Sequence, residues 1–489
     1  MSANAPAPSE PAPADPQARE LAGAAEIARR LGELLGEAPR GELQRLSSGA
    51  SRATYTFDTD ARGPLVLQVA GANAPGRALL SQADLLSAAA QAGVPVAAVV
   101  EHGPQDNVLG GEWIVMQAVA GTSDPKAILG QEGVPAAGEL LDSIAAALAA
   151  VHRMPAEEKL APAVDQPLAQ LRATYDSFCE PHPVFELAFA QLGRDRAPAR
   201  RTFVHGDFRI GNLLVADHGV SAVLDWELCH LGDPVEDLGW LCVPAWRFSR
   251  PDLPAAGLGT REQLRAAYER HAGHAVQAAE LARWELAGTL RWGVICMMQA
   301  FKHLSGAQRS VELAVIGRRA CEVEWDLLEL LDPVPAQEQR QRTEGGARPT
   351  RDEDELPPAG DDRPPPPGSL DGSVHDRPAA TELLDAARGA LAETVLPEVH
   401  GRAAFELRVA MRAIAMVGRE LAGASQHALV RAEALARLGA GDEAQLCELI
   451  RNGAFEGRRA QLCASLRELV RAKLEVANPR YLHGGGTRS

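Results

Sequence analysis

The stretch FVHGDFRIGNLLVADHGVSAVLDWE, residues 203–227, sets His-Gly-Asp, then Asn, then Asp between short apolar runs. Gly206 and Gly211 break regular structure, so Asp207 and Asn212 belong to a loop. Residues 213–215 and 221–226 read as two strands of a hairpin around Ala-Asp-His-Gly, which returns Asp225 toward Asn212. Two carboxylates and one amide then converge, oxygen ligands of the kind magnesium prefers. A carboxylate beside such a metal can orient an alcohol and accept its proton while a phosphate is transferred.

Around this stretch the chain reads as globular. Its 489 residues predict two or three domains, and a hydrophobic share of 46% leaves room for a large interior. A net charge of -16, from 65 acids against 49 bases, argues against nucleic acid or an anionic membrane as main partner. The seven cysteines form no CxxC pair, so reduced thiols buried as small apolar residues are expected. The N-terminal MSANAPAPSEPAPADPQ has neither the basic start nor the apolar core of a secretory signal. Without an apolar run of about 18 residues, no membrane-spanning helix is expected, and the expected location is cytoplasmic.

The layout is strands first, then helices. Residues 43–69 alternate as a hairpin does, 77–93 are helical by alanine content and apolar spacing, and 112–119 form a further strand. From 137 to about 331 amphipathic helices dominate. The expected organisation is a disordered tail (1–18), a catalytic domain (19–332), a proline-rich charged linker (333–375), an all-helical domain (376–483) and a short tail (484–489). In the helical domain Leu383, Ala387, Leu391 and Val395 form one stripe, Leu407, Met411, Ile414 and Leu421 a second, and Leu462, Leu466, Leu469 and Val470 a third.

HGDFRIGN followed by LDWE resembles the catalytic loop and metal-binding segment of the aminoglycoside phosphotransferase and choline kinase relatives. Residues 232–248 and 288–319 are similar to the branch fused to acyl-CoA dehydrogenases. The resemblance covers about residues 40–330, and the C-terminal part resembles a bacterial helical domain that accompanies this family. It implies an α+β, two-lobed protein-kinase-like fold, with a small β-rich N-lobe and a mainly helical C-lobe, plus a separate all-α C-terminal bundle. It also implies Asp207 as catalytic base, Asn212 and Asp225 as magnesium ligands, and His205, Asp233 and Asp237 as supports of the loop. The implied cofactors are ATP and Mg.

By the same resemblance the nucleotide meets Gly49 and Ser51 in SSGASRATYTF, Gln68 in VLQVA, and Met116 in VMQAV. The family's strand cation falls on Gln68, and the helix glutamate that pairs with it falls on Gln82; a shift of two places Asp84 there instead. Two amides can bond each other but supply no charge to a phosphate. Arg52 or Arg77 could stand in for the missing cation, although a surface place is the expectation for each. The implied function is transfer of the γ-phosphate of ATP to a substrate hydroxyl, that of a hydroxyacyl-CoA or related compound. The alternative is a pseudokinase scaffold that binds nucleotide or acyl-CoA and recruits a partner, such as an acyl-CoA dehydrogenase or a second copy, through its helical domain.

Overall fold

The structure, a computed structural model, describes residues 16–48, 52–71, 79–130, 133–248, 250–333 and 379–483. Gly49, Ser51, Arg77, nearly all of the expected N-terminal tail and linker, and the C-terminal tail lie outside the described residues. The chain divides into two compact units. The first comprises residues 1–163, 201–231 and 270–272, and the second residues 164–200, 232–269 and 273–489.

In the first unit five strands pair antiparallel in the order β1-β2-β3-β5-β4. They are β1 (Arg40–Ser48), β2 (Arg52–Thr59), β3 (Gly63–Gly71), β4 (Val99–Asp106) and β5 (Gly111–Gln117). Alternation sends Leu65, Leu67 and Val69 of β3, with Trp113 and Val115 of β5, to one face. There they pack with Leu31 and Leu35 of the first helix, Pro16–Leu35. Each such side chain contributes about 1.5–3 kcal/mol on burial. Val66, Gln68 and Ala70 take the opposite face, together with Met116, Ile114 and Glu112, their register partners. Glu112 caps the second helix, Leu79–Gln91, by accepting from Leu79 N at 2.9 Å. Gly103 of β4 must lack a side chain, because a Cβ there would stand 2.7 Å from the Trp113 ring.

The second unit is built mainly of helices. Those before the linker include Pro167–Ser177, Pro183–Leu192, Val235–Leu241, most of Arg261–Ala272, Ala278–Leu304, Val311–Arg318 and Ala320–Leu331, and those after it include Gly401–Leu438, Glu443–Arg451 and Arg459–Ala477. The C-terminal segment is all-helical, as expected. Its apolar residues do not close on themselves, however. Leu435, Leu446, Ile450, Leu462 and Leu466 belong to one cluster with Phe185, Leu187, Val323 and Leu327. Glu186, 1% exposed, stitches the same elements: Arg172 donates to both its oxygens at 2.6 and 3.0 Å, and Arg451 donates at 2.7 Å.

The third predicted stripe is buried throughout. The first stripe has no buried member, and of the second Met411 alone is buried while Leu421 is exposed; the long helix turns Ala404, Val409, Ala434 and Leu435 inward as well. Six of the seven cysteines are buried; Cys179 is exposed, against expectation. Among the described residues no helix is long and apolar enough to cross a membrane.

Candidate active site

The loop and hairpin of residues 203–228 lie in the first unit. The strands are Leu213–Ala216 and Gly219–Val223, paired through Leu213 with Val223 and Leu214 with Ala222. The second strand therefore begins and ends earlier than the sequence suggested. Three ties hold the hairpin: Thr122 and Val215 exchange both backbone bonds at 2.9 Å, Val223 N donates to Pro95 O at 2.8 Å, and Val220 N donates to Ser143 Oγ at 2.9 Å. Gly121 makes the first tie possible. It adopts φ +141°, and a Cβ there would sit 2.9 Å from Val215 O.

Within this frame Asp207 and Asn212 meet, and Asp225 lies on the segment bonded to Asn212. Asn212 Nδ2 donates to Asp207 Oδ2 at 2.6 Å and to Asp207 O at 2.9 Å. The donor side of the amide is thus spent on Asp207, which leaves Oδ1 as its ligating atom. Leu224 N donates to Asn212 O at 2.8 Å, which sets Asp225 one residue beyond a bond to Asn212. Asp225 adopts φ +57° and ψ +61°, a left-handed conformation that costs a non-glycine residue about 1–3 kcal/mol. The next residue holds it there: Trp226 is buried, and its Nε1 donates to Val223 O at 3.0 Å. The donor set of two carboxylates and an amide oxygen fits a hard cation such as magnesium. Among the described residues no group of three or more His, Cys, Asp and Glu side chains is placed to hold a metal, so the asparagine is integral to any such site.

His205 is fully buried, and its ring lies 5.0 Å from that of Trp226. It accepts from Asp207 N at Nδ1 (3.2 Å), and its Nε2 stands 2.8 Å from Leu224 O, so the proton belongs on Nε2. With Nδ1 spent on a backbone N–H, this imidazole orients the loop and has no lone pair to serve as a base. Gly206 next to it has φ +81°, and a Cβ there would meet Leu228 O at 2.5 Å.

Arg209 escaped the sequence reading. Its Nε donates to Asp207 Oδ1 at 3.2 Å, so both carboxylate oxygens of Asp207 have a donor. The guanidinium folds across Gly211, whose missing Cβ would collide with Arg209 Nη1. The pairing of Arg209 with the glycine two residues on was the available signal.

On the sheet, Gln68 and Met116 share the face opposite the apolar core, with Gln68 across from Ile114 and Met116 across from Val66. Gln82, not Asp84, is the helix residue turned inward: Gln82 is 5% exposed, whereas Asp84 is exposed and lines a separate open cavity with Arg153 and Lys159. The expected amide pair does not form. Gln82 Oε1 accepts from Arg52 Nη1 at 2.6 Å, and Gln68 Oε1 is buried without a hydrogen-bond partner. Arg52 is likewise not a surface residue, because its side chain is only 12% exposed.

Asp233 and Asp237 belong to the second unit. Asp233 Oδ1 accepts from Val235 N at 2.9 Å at the start of helix Val235–Leu241, and burial pushes its carboxyl up from the ordinary value. Asp237 is fully buried in the first turn of that helix.

A five-stranded sheet with its helix, a loop-hairpin site and a helix-rich remainder make an α+β fold with a helical C-terminal region. Residues 42–274 match the phosphotransferase enzyme family, APH, and residues 397–481 match a domain of unknown function, DUF6285. The resemblance to the aminoglycoside phosphotransferase family therefore holds over the part of the chain that carries the site. The mouse protein acyl-CoA dehydrogenase family member 10 is 52% identical over 46 residues, which is 9% of this chain and 4% of that protein. A Ralstonia eutropha structure assigned to the aminoglycoside phosphotransferases is 22% identical with a TM-score of 0.48, over 63% of this chain and 98% of its own. Spectinomycin phosphotransferase APH(9)-Ia, solved with ADP and spectinomycin, is 9% identical with a TM-score of 0.47, over 62% and 98%.

Proposed function

We propose that this chain is an ATP- and magnesium-dependent phosphotransferase that moves the γ-phosphate to a hydroxyl group of a small molecule. The observation that carries the reading is the bond from Asn212 Nδ2 to Asp207 Oδ2, 2.6 Å, on a loop tied by Leu224 N to the segment of Asp225. Asp207 takes the proton of the acceptor hydroxyl, with Asn212 and Arg209 fixing the direction of its carboxylate. Asn212 Oδ1 and Asp225 would hold magnesium, which supplies positive charge to the phosphate oxygens when bound. His205 holds the loop, and Met116 and Gln68 border the nucleotide.

For the acceptor we favour a hydroxyacyl-CoA. Its support is the short match to a protein named for acyl-CoA dehydrogenase, together with the chemistry of phosphorylation, which turns a hydroxyl into a leaving group for later elimination. The protein incubated with MgATP and a panel of hydroxyacyl-CoA thioesters, free hydroxy acids and aminoglycosides should add one phosphate to a thioester and leave the others unchanged, as read by mass spectrometry. Phosphorylation of aminoglycosides alone would contradict this acceptor. One observation favours a second reading, that of a nucleotide-binding scaffold: β3 offers a neutral glutamine with a buried, unpartnered carbonyl oxygen where a phosphate needs a cation.

A further inference from the structure

The charge missing from β3 has a neighbour on β2. Arg52 pairs across the ladder with Ala70, two residues from Gln68 on the same strand and the same face. Its guanidinium is held at two points. Nη1 donates to Gln82 Oε1 on the second helix at 2.6 Å, and Nη2 lies 3.3 Å from Glu227 Oε1, two residues past Asp225. A long cationic side chain loses rotamer freedom when fixed this way. Here one residue links the sheet face that carries Gln68, the second helix and the segment of the candidate metal ligand. Its anchor on the helix is a neutral amide, which orients the guanidinium without adding charge, and Glu227, a carboxylate, is the second. Arginine presents a planar fork of donors suited to phosphate oxygens.

We infer that Arg52 is the phosphate-binding cation of this chain, with Gln82 and Glu227 as its positioning residues, so that the charge sits on β2 and not on β3. The inference rests on the phosphotransferase reading above. It accounts for the paired change at the two glutamines. With the cation entering from β2, β3 needs no charge, and the helix needs an acceptor for an arginine, a task glutamine performs.

The test is a binding ladder of ATP, ADP, AMP and adenosine with magnesium on the full chain, for wild type, Arg52→Gln, Arg52→Lys and the double variant Arg52→Gln/Gln68→Lys, with urea midpoints alongside. A lost charge-assisted contact predicts that Arg52→Gln weakens ATP about 10–100-fold and leaves adenosine within about twofold. Returning the charge to β3 in the double variant should recover most of that loss. Arg52→Lys, which keeps the charge but cannot span both anchors, should fall between and covers the case in which the glutamine variant fails to fold. Equal weakening of ATP and adenosine, or no weakening of ATP, would make Arg52 a structural tie and overturn the inference. A wild type that binds no ATP at all is a different failure, that of the phosphotransferase reading itself, and would remove the inference with it.

Discussion

Replacing Asp207 with asparagine is expected to lower the phosphotransfer rate by about 10²–10⁴-fold, the range over which a positioned general base contributes. The substitution is nearly isosteric and the side chain is partly exposed, so the fold should survive it. Asn212 can still donate to the remaining carbonyl oxygen, and Asp207 N can still donate to His205 Nδ1. What disappears is the group that accepts the proton of the attacking hydroxyl. MgATP affinity should therefore stay within a few-fold of wild type while kcat collapses, as separated by a coupled assay for ADP release. A loss confined to KM would place Asp207 in binding rather than in chemistry.

The second large effect concerns stability. Glu324, 1% exposed, receives Lys473 Nζ at 2.8 and 3.0 Å, and His182 Nδ1 stands 3.0 Å from its Oε1. Burial alone pushes this carboxyl up, but Lys473 and His182 outweigh it and hold the value near 2, against an ordinary 4.5. A folded value below the unfolded one means stability that is present above about pH 4.5 and lost as pH falls toward 2. The size of that contribution is about 3 kcal/mol. Lys473→Met leaves the buried carboxylate with His182 alone; Lys473 is itself 42% exposed, so the cost stays at the lower end of the about 3–5 kcal/mol for breaking a buried pair. Urea denaturation should therefore show a variant deficit of about 3 kcal/mol at pH 7, shrinking as pH drops below 4.5, where wild type loses the same contribution. A deficit independent of pH would mean that the lysine acts by packing its stem.

Asp207, Asn212 and Asp225 were legible because they lie in one stretch whose hairpin register is local. Contacts across long separations were not. Glu186 and Arg451 meet in the fold although most of the second unit lies between them in sequence, and no period in the C-terminal helices reveals that their apolar faces complete a core begun by Phe185 and Val323. The exposure of Leu383 and Leu421 has the same root: a stripe shows which residues share a helix face, not whether a neighbour covers it. Strand β4 was missed for a different reason. It lies at the edge of the sheet, carries Pro104 and Gly103, and breaks register twice against β5, so it lacks the alternation that marks an inner strand. Arg52 was misplaced because an arginine after a Gly- and Ser-rich stretch of sequence looks like surface until its two partners are seen.

The most direct test of the central claim is titration calorimetry of the full chain with ATP, with and without magnesium, beside an Asp225→Ala variant. The account predicts binding that depends on magnesium in the wild type and is lost in the variant, whose urea midpoint falls only slightly, since alanine keeps the left-handed backbone and tolerates it somewhat less well than aspartate. Absence of heat at millimolar ATP, or binding equal in the variant, would contradict a metal–nucleotide site at Asp207, Asn212 and Asp225.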